Sequence, residues 1–291
     1  MSSPLYNRRV ELAVGTYGDT GRVWSDLRTT FTVRHVRRSA PNAARVEVYN
    51  LSADSRAWLE QPDRVCWLRA GYTGDDETAS VPLVLTGDVM FAEHVRSGPD
   101  IVTRLHVREG ERALRNAWVS TSTAGVRTRR DLLARVTDHL AAAGPFAPTV
   151  QDALDAAVGD EWSGPVGSTV IDAGANDALD AAMPDGWTWT IVDGVLRIVP
   201  PTGELDGTAY VLSPDTGLLE SPRHRVRTTR GRVRADGIEA RCLLLGELRP
   251  GRVVRVESRD ITGDFVATEV EHSGDTHADR WETSLLLEPR Q

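Results

Sequence analysis

The 291-residue chain contains no lysine; all 34 of its Lys and Arg positions are arginine. That bias reads as genome composition rather than as phosphate recognition. Only two cysteines are present, Cys66 and Cys242. They are far apart and lack the spacing of a metal site, so no disulfide framework is expected and a reducing compartment fits. No apolar run approaches the ~18–20 residues needed to cross a bilayer. The start, MSSPLYNRRVEL, has no apolar core of a secretory signal. Neither membrane insertion nor a secretory route is expected. A net charge of −8 argues against a general nucleic-acid binder. The nucleophile elbow, the P-loop, the zincin helix and the C-x-x-C pair are all missing, and no enzyme is expected.

What is present is a globular composition, 40% hydrophobic and 26% charged, on a chain long enough for two or three lobes. Alternating apolar and polar residues predict strands at Arg9–Tyr17, Phe31–Val36, Ala44–Tyr49 and Val65–Tyr72. A short helix, Ser55–Glu60, is expected to start at a Ser52 or Asp54 cap and stop at Pro62. Val81–Phe91 and Ile101–Glu109 read as an antiparallel pair. The texture changes after Ser120. Leu132, Leu133, Val136 and Leu140 recur at helical spacing in Arg127–Ala143, which Gly144-Pro145 should end. A weaker helix at Thr149–Val158 and a third at Ala175–Met183 follow. Asp193-Gly194 between Trp187–Val192 and Val195–Val199 marks a β-hairpin. Strands return from Tyr210 and end in a meander, Arg252–Glu257, Gly263–Glu271 and Trp281–Leu287, with a one-residue slip at Thr268.

The fold class is therefore mainly β with an α+β insertion: residues 1–118 and 206–291 as β units, 119–205 as a small helical and hairpin domain. The two β units read as a diverged pair, each ending in a long hairpin, without a visible short-period repeat. The arginine run Arg34–Arg38 reads as an exposed or subunit-facing strand rather than as a DNA contact, and the run Arg223–Arg234 as an exposed connector or an intersubunit contact.

One polar cluster invites a metal reading: Glu269, Glu271, His272, Asp275, His277 and Asp279. Its histidines flank a hairpin tip, where polar residues keep a turn solvated, and Asp275 is expected to bond backbone amides. No cofactor or metal is expected. The acids and tryptophans of Gly159-Asp160-Glu161-Trp162 and Pro184-Asp185-Gly186-Trp187 could line a sugar site; they read instead as loop acids beside core tryptophans.

Four stretches in order resemble the central hub proteins of phage baseplates, the Mu-like and late-control-D-like family related to the hub part of type VI secretion spikes. They are FTVRHVRRSAPNAARVEVYNLS from Phe31, GWTWTIVDGVLRIV from Gly186, LSPDTGLLESP from Leu212, and Gly237–Leu287 with its Glu-Leu-Arg-Pro-Gly and Val-Glu-His-Ser-Gly-Asp-Thr turns. The resemblance implies two tube-like β-barrel domains flanking the insertion. It further implies a homotrimer whose six β units form a ring between a sixfold tail tube and a threefold spike, around a DNA channel. The implied partners are tail tube protein, spike protein, tape-measure protein and other baseplate subunits, with DNA passing unbound, in a virion tail assembled in a bacterial cytoplasm. It singles out Pro41, Asn42, Asn50, Leu51, Pro250, Gly251, His272, Gly274, Asp275 and Trp281 as motif or interface candidates. The competing reading is a cell-wall polysaccharide hydrolase or a carbohydrate-binding tail protein built on β-sandwiches with exposed tryptophan.

Overall fold

The computed structural model describes residues 5–17, 21–37, 39, 41–76, 79–122, 128–142, 147–166, 170–229 and 232–290. Turns expected from the sequence at Gly18-Asp19-Thr20-Gly21 and Ser39-Ala40-Pro41-Asn42 fall in part outside the described residues, and the expected helix stop at Gly144-Pro145 falls wholly outside them.

The first β unit comprises β1 (Arg8–Gly15), β2 (Arg22–Trp24), β3 (Thr29–Val36), β4 (Ala43–Tyr49), α1 (Ala53–Leu59), β5 (Val65–Tyr72), β6 (Leu83–Ser97) and β7 (Asp100–Arg108). Alternation decides which side chains turn inward: Phe31, Val33 and His35 of β3 are buried while Arg34 between them is exposed. Ser52 caps α1, its hydroxyl accepting from Ser55 N. The apolar faces of β1 and β3–β7 meet in a single cluster that includes Leu12, Val33, Val46, Leu68, Leu85 and Leu105, so the sheet must curl around it.

The insertion holds α2 (Glu111–Asn116), β8 (Trp118–Ser122), α3 (Arg129–Ala141), α4 (Gln151–Ala156), α5 (Asp160–Ser163), β9 (Val170–Gly174), α6 (Ala175–Ala182), β10 (Thr188–Val192) and β11 (Val195–Val199). α3 begins in a capping box, Thr128 with Asp131, and buries the predicted stripe Leu132, Leu133, Val136 and Leu140 in a core of its own. The β8–β9 pair was not predicted, because neither strand alternates cleanly. Trp162 lies in that core and meets the half-buried Trp187 edge to face, 5.3 Å apart.

The second β unit comprises β12 (Asp206–Leu212), β13 (Arg223–Thr229), β14 (Arg232–Leu243), β15 (Arg252–Glu257), β16 (Thr262–Asp275) and β17 (Trp281–Pro289). The predicted meander is β15–β16–β17, and the slip at Thr268 is a β-bulge between Ala267 and Glu269. This unit has its own cluster, with Leu212, Ala240, Val254, Val270 and Leu287 among its members.

The two β units share one topology. The first runs β3-β4-β7-β6-β5-β1 across its sheet; the second runs β13-β14-β17-β16-β15-β12. The sixth strand is the one departure, since β1 lies antiparallel to β5 but β12 lies parallel to β15. Specific residues repeat as well. Pro62-Asp63-Arg64-Val65 leads into β5 and Pro250-Gly251-Arg252-Val253 into β15, and Asp63 (φ 63°) and Gly251 (φ 87°) are both left-handed. A one-residue bulge interrupts β6 at Met90 as it does β16 at Thr268. Just beyond it, Glu93-His94 matches Glu271-His272. Each histidine bonds a threonine across its hairpin through Nδ1: His94 to Thr103 Oγ1 at 3.1 Å, His272 to Thr283 Oγ1 at 3.0 Å.

The units are joined by strand pairing. The first half of β16 pairs with β15, and the second half pairs with β3, from Glu269↔Val36 to Asp275↔Thr30. All thirteen strands of the two units thus belong to one sheet. The tube-like barrels expected from the sequence are not closed within this chain. The path ends at β13 on one side and β2 on the other among the described residues, because no strand of the same chain reaches either edge.

Candidate functional site

Two features stand out once the fold is assembled: a buried polar junction where both β units meet the insertion, and a polar sheet face that runs unbroken across both units.

The junction is built around Asn42 and Glu109, both buried. Asn42 Oδ1 accepts from Val36 N at 2.8 Å, and Asn42 Nδ2 donates to Glu109 Oε2 at 2.7 Å and to Ile191 O at 2.9 Å. Glu109 Oε1 accepts from Asp193 N at 3.0 Å, and His35 Nδ1 lies 3.4 Å from Oε2. Burial alone would raise the Glu109 pKa. The facing His35 ring and the donors Asn42 and Asp193 N–H outweigh it, and the carboxyl sits below its ordinary range. The Asp193-Gly194 turn, with φ 54° and 76°, carries the hairpin tip into the second unit. There Asp193 receives Arg249 through both oxygens, at 2.9 and 3.1 Å. The same guanidinium donates to Leu83 O, Gly246 O and Leu248 O, at 2.7, 2.7 and 2.9 Å.

His272 closes the junction from the other side, its ring 5.9 Å from that of His35. Thr283 Oγ1 accepts from Leu245 N, so its hydroxyl is available to donate to His272 Nδ1. Nε2 then carries the proton and donates to Leu248 O at 3.1 Å. Burial, the Arg249 charge and the neighbouring His35 push the His272 pKa well below its ordinary value.

The other sequence candidates sit at the edges of these contacts. Pro250 is buried, and Gly251 accepts from Leu205 N at 2.8 Å and donates to Ala267 O at 2.7 Å. Asn50 adopts φ 58° and clips the β6–β7 turn: its N–H donates to Ile101 O, its Oδ1 accepts from Ile101 N at 3.0 Å, and its Nδ2 donates to Asp100 at 2.9 Å. Leu51 fills the first core, and Pro41 is half-buried. Gly274 gives Phe31 and Trp281 the space to meet edge to face at 5.7 Å. Asp275 takes a bidentate contact from Arg28, at 2.7 and 3.3 Å, and the His277 amide at 2.8 Å. Arg28 first, and that amide with it, hold the Asp275 carboxyl below its usual range. These residues thus form two groups: Asn42, Pro250, Gly251 and His272 around the junction, and Gly274, Asp275 and Trp281 around the β16–β17 turn. His35, Glu109, Asp193 and Arg249 complete the junction; Asp193 belongs to the predicted hairpin turn and Arg249 to the Glu-Leu-Arg-Pro-Gly turn, whereas His35 and Glu109 stand in predicted strands without a motif to mark them.

The polar face uses the alternate residues of the same strands. Arg104 and Glu93 face Glu47 and Arg45 across β7, β6 and β4. Arg34 of β3 binds Glu269 of β16 through two bonds at 2.6 and 2.8 Å. Beyond it Arg241 reaches Glu282 and Glu220. Charges of opposite sign pair at each of these named positions. Between β3 and β13 this face forms an open trough of ≈ 640 Å³, with Glu239, Glu271 and Arg223 among its lining residues. No group of three or more metal-ligating side chains occurs among the described residues, and among them no helix is long and apolar enough to cross a membrane.

No family model and no curated protein sequence matches the chain. Solved structures do. A tail protein from Neisseria meningitidis superposes with a TM-score of 0.65 at 13% identity, covering 98% of this chain and 97% of its own. The 43 kDa tail protein of prophage MuSo2 from Shewanella oneidensis gives 0.63 at 13% identity, with 98% and 99% covered. An Escherichia coli component of the type VI secretion system, described as structurally similar to the T4 bacteriophage tail proteins gp27 and gp5, gives 0.60 at 12% identity, with 96% and 77% covered. The chain has the mainly β fold of these tail and secretion-spike proteins over nearly its full length.

Proposed function

We propose that this chain is a structural subunit of a phage tail or a related injection device, the hub of its baseplate. Three copies form a ring that joins a sixfold tail tube to a threefold spike and lines the channel through which DNA passes. The observation that carries this reading is the internal duplication. Two units of equal topology per chain, multiplied by a threefold axis, present six similar units in a ring. In this reading 1–118 and 206–291 are the tube-forming domains, completed into barrel walls only by neighbouring copies, and 119–205 is the insertion outside them. The protein resides in the virion tail; tape-measure protein and other baseplate subunits are further partners.

The polar face supports the channel wall. Its arginines and glutamates pair with each other, so a passing polyanion meets neither a basic strip that would hold it nor a wall of one sign. The overall negative charge does not concentrate there.

The test is the mass of the purified protein in solution, measured alongside incubation with peptidoglycan. A species of three chains that leaves peptidoglycan intact is expected. A single chain at all concentrations would overturn the ring; turnover abolished by one carboxylate substitution would favour a hydrolase instead.

A further inference from the structure

The duplication contains an asymmetry. In the second unit the long strand β16 gives its first half to β15 and its second half to β3 of the first unit. In the first unit the equivalent strand β6 gives Leu83–Asp88 to β5, but its outer half, Phe91–Ser97, pairs among the described residues with β7 on one side only. The equivalent of β3 is β13, which among the described residues pairs only with β14. Each chain therefore holds one completed junction and the two unmatched halves of another. Exposed strand edges of this kind are templates for a further strand.

We propose that β13 of a second copy of this chain adds antiparallel to the outer half of β6, repeating between chains the β16–β3 pairing found within one. This rests on the ring reading above. The register follows from the equivalences. His94 corresponds to His272, by the bulge and the threonine contact. Val33 corresponds to His224, because each lies opposite an equivalent position, Ala44 or Ile238, on the next strand. Transferring His272↔Val33 then sets His94 opposite His224, Glu93 opposite Arg225 and Ala92 opposite Val226.

The chemistry agrees with that register. Glu93 opposite Arg225 repeats Glu271 opposite Arg34. Ala92 and Val226 take the places of the inward-facing Val270 and His35. Phe91 and Val226 are 55% and 57% exposed in the single chain, and both lie on this seam. The basic character of β13 is then complementary to Glu93 and to the glutamates beside it on the continued polar face. Three such seams and three internal junctions alternate around the ring.

Cysteines introduced by Ala92→Cys and Val226→Cys test the seam in the full chain. Directly opposite residues have Cβ atoms about 4.5–5.5 Å apart, near enough for a disulfide after small adjustment. The native thiols stay silent, since burial pushes both Cys66 and Cys242 up to about 12. On oxidation the double variant is expected to give a reducible ladder reaching three chains. Neither single variant should, nor should Val95→Cys with Val226→Cys, which lies about 10 Å out of register on the other face. A three-chain assembly without the cross-link overturns this seam and leaves the ring reading standing. A chain that remains single and uncross-linked overturns both, and equal cross-linking of the out-of-register pair overturns the register. Val226→Asp, at a position exposed in the single chain, provides a second arm. It should raise the concentration at which rings dissociate by about tenfold or more; an unchanged value refutes the seam.

Discussion

Acidification should weaken this fold through His272 before the carboxylates begin to titrate. The ring is buried and neutral, donating from Nε2 to Leu248 O and accepting at Nδ1 from Thr283, and its folded pKa lies well below the ordinary 6.5. In the unfolded chain the same histidine binds a proton near that ordinary value. For a base with a depressed folded pKa, the unfolded state holds more protons throughout the window between the two values. Stability therefore rises with pH there, is complete above about pH 6.5, and falls as the pH drops. One such proton gives a limiting slope of about 1.4 kcal/mol per pH unit between the two values. Glu109, whose folded pKa is depressed, acts in the same direction but around and below the ordinary carboxylate range of about 4.5, so the two contributions separate. Urea denaturation from pH 5 to pH 8, on the wild type and on His272→Gln, isolates the term. The amide can still donate to Leu248 O but does not titrate. The variant should lose stability at pH 7 yet show a pH slope shallower by about one proton. Equal slopes for the two proteins would refute the assignment of a buried neutral histidine.

Other substitutions probe the remaining contacts. Asp193→Asn keeps a residue that tolerates the left-handed turn but removes the charge facing Arg249, and should cost about 2 kcal/mol in urea denaturation; less than about 0.5 kcal/mol would mean that the hairpin tip does not anchor the insertion. Gly274→Ala places a Cβ 2.6 Å from Phe31 and 2.8 Å from Trp281 and should lower stability by about 1–3 kcal/mol, with a change in tryptophan fluorescence. Both thiols should resist a maleimide at neutral pH in the native protein and label together on unfolding; rapid labelling of either would contradict the burial of Cys66 and Cys242.

Alternation made the meander, the Asp193-Gly194 hairpin and the buried stripe of α3 legible, since each follows from a period that the sequence states directly. The bulge at Thr268 was visible as a slip in that period. The ends of β6 were not: the expected strand stopped at Phe91, but the outer half continues to Ser97 because β7 supports it from one side. The duplication was written in Pro62-Asp63-Arg64-Val65 against Pro250-Gly251-Arg252-Val253, and in Glu93-His94 against Glu271-His272. The sequence suggests a diverged pair but does not align its halves, because α1 in the first unit has only a short turn as its counterpart, which shifts the spacing between the matching pieces. The junction was half legible. Asn42 and His272 belong to recognisable turns, but Glu109 and Arg249 acquire their roles only from a hairpin tip folded in from far along the chain. Barrel closure was the expectation that failed within one chain. Strand pairing between molecules leaves no mark in the alternation of a single sequence.

End-on electron-microscope averages of the purified protein test most directly whether duplicated halves and a threefold axis together make the ring. An annulus of six lobes around an open centre is expected, alternating between two slightly different shapes so that the true symmetry is threefold. A compact single-chain particle, or a ring whose lobe count is not six, would contradict it.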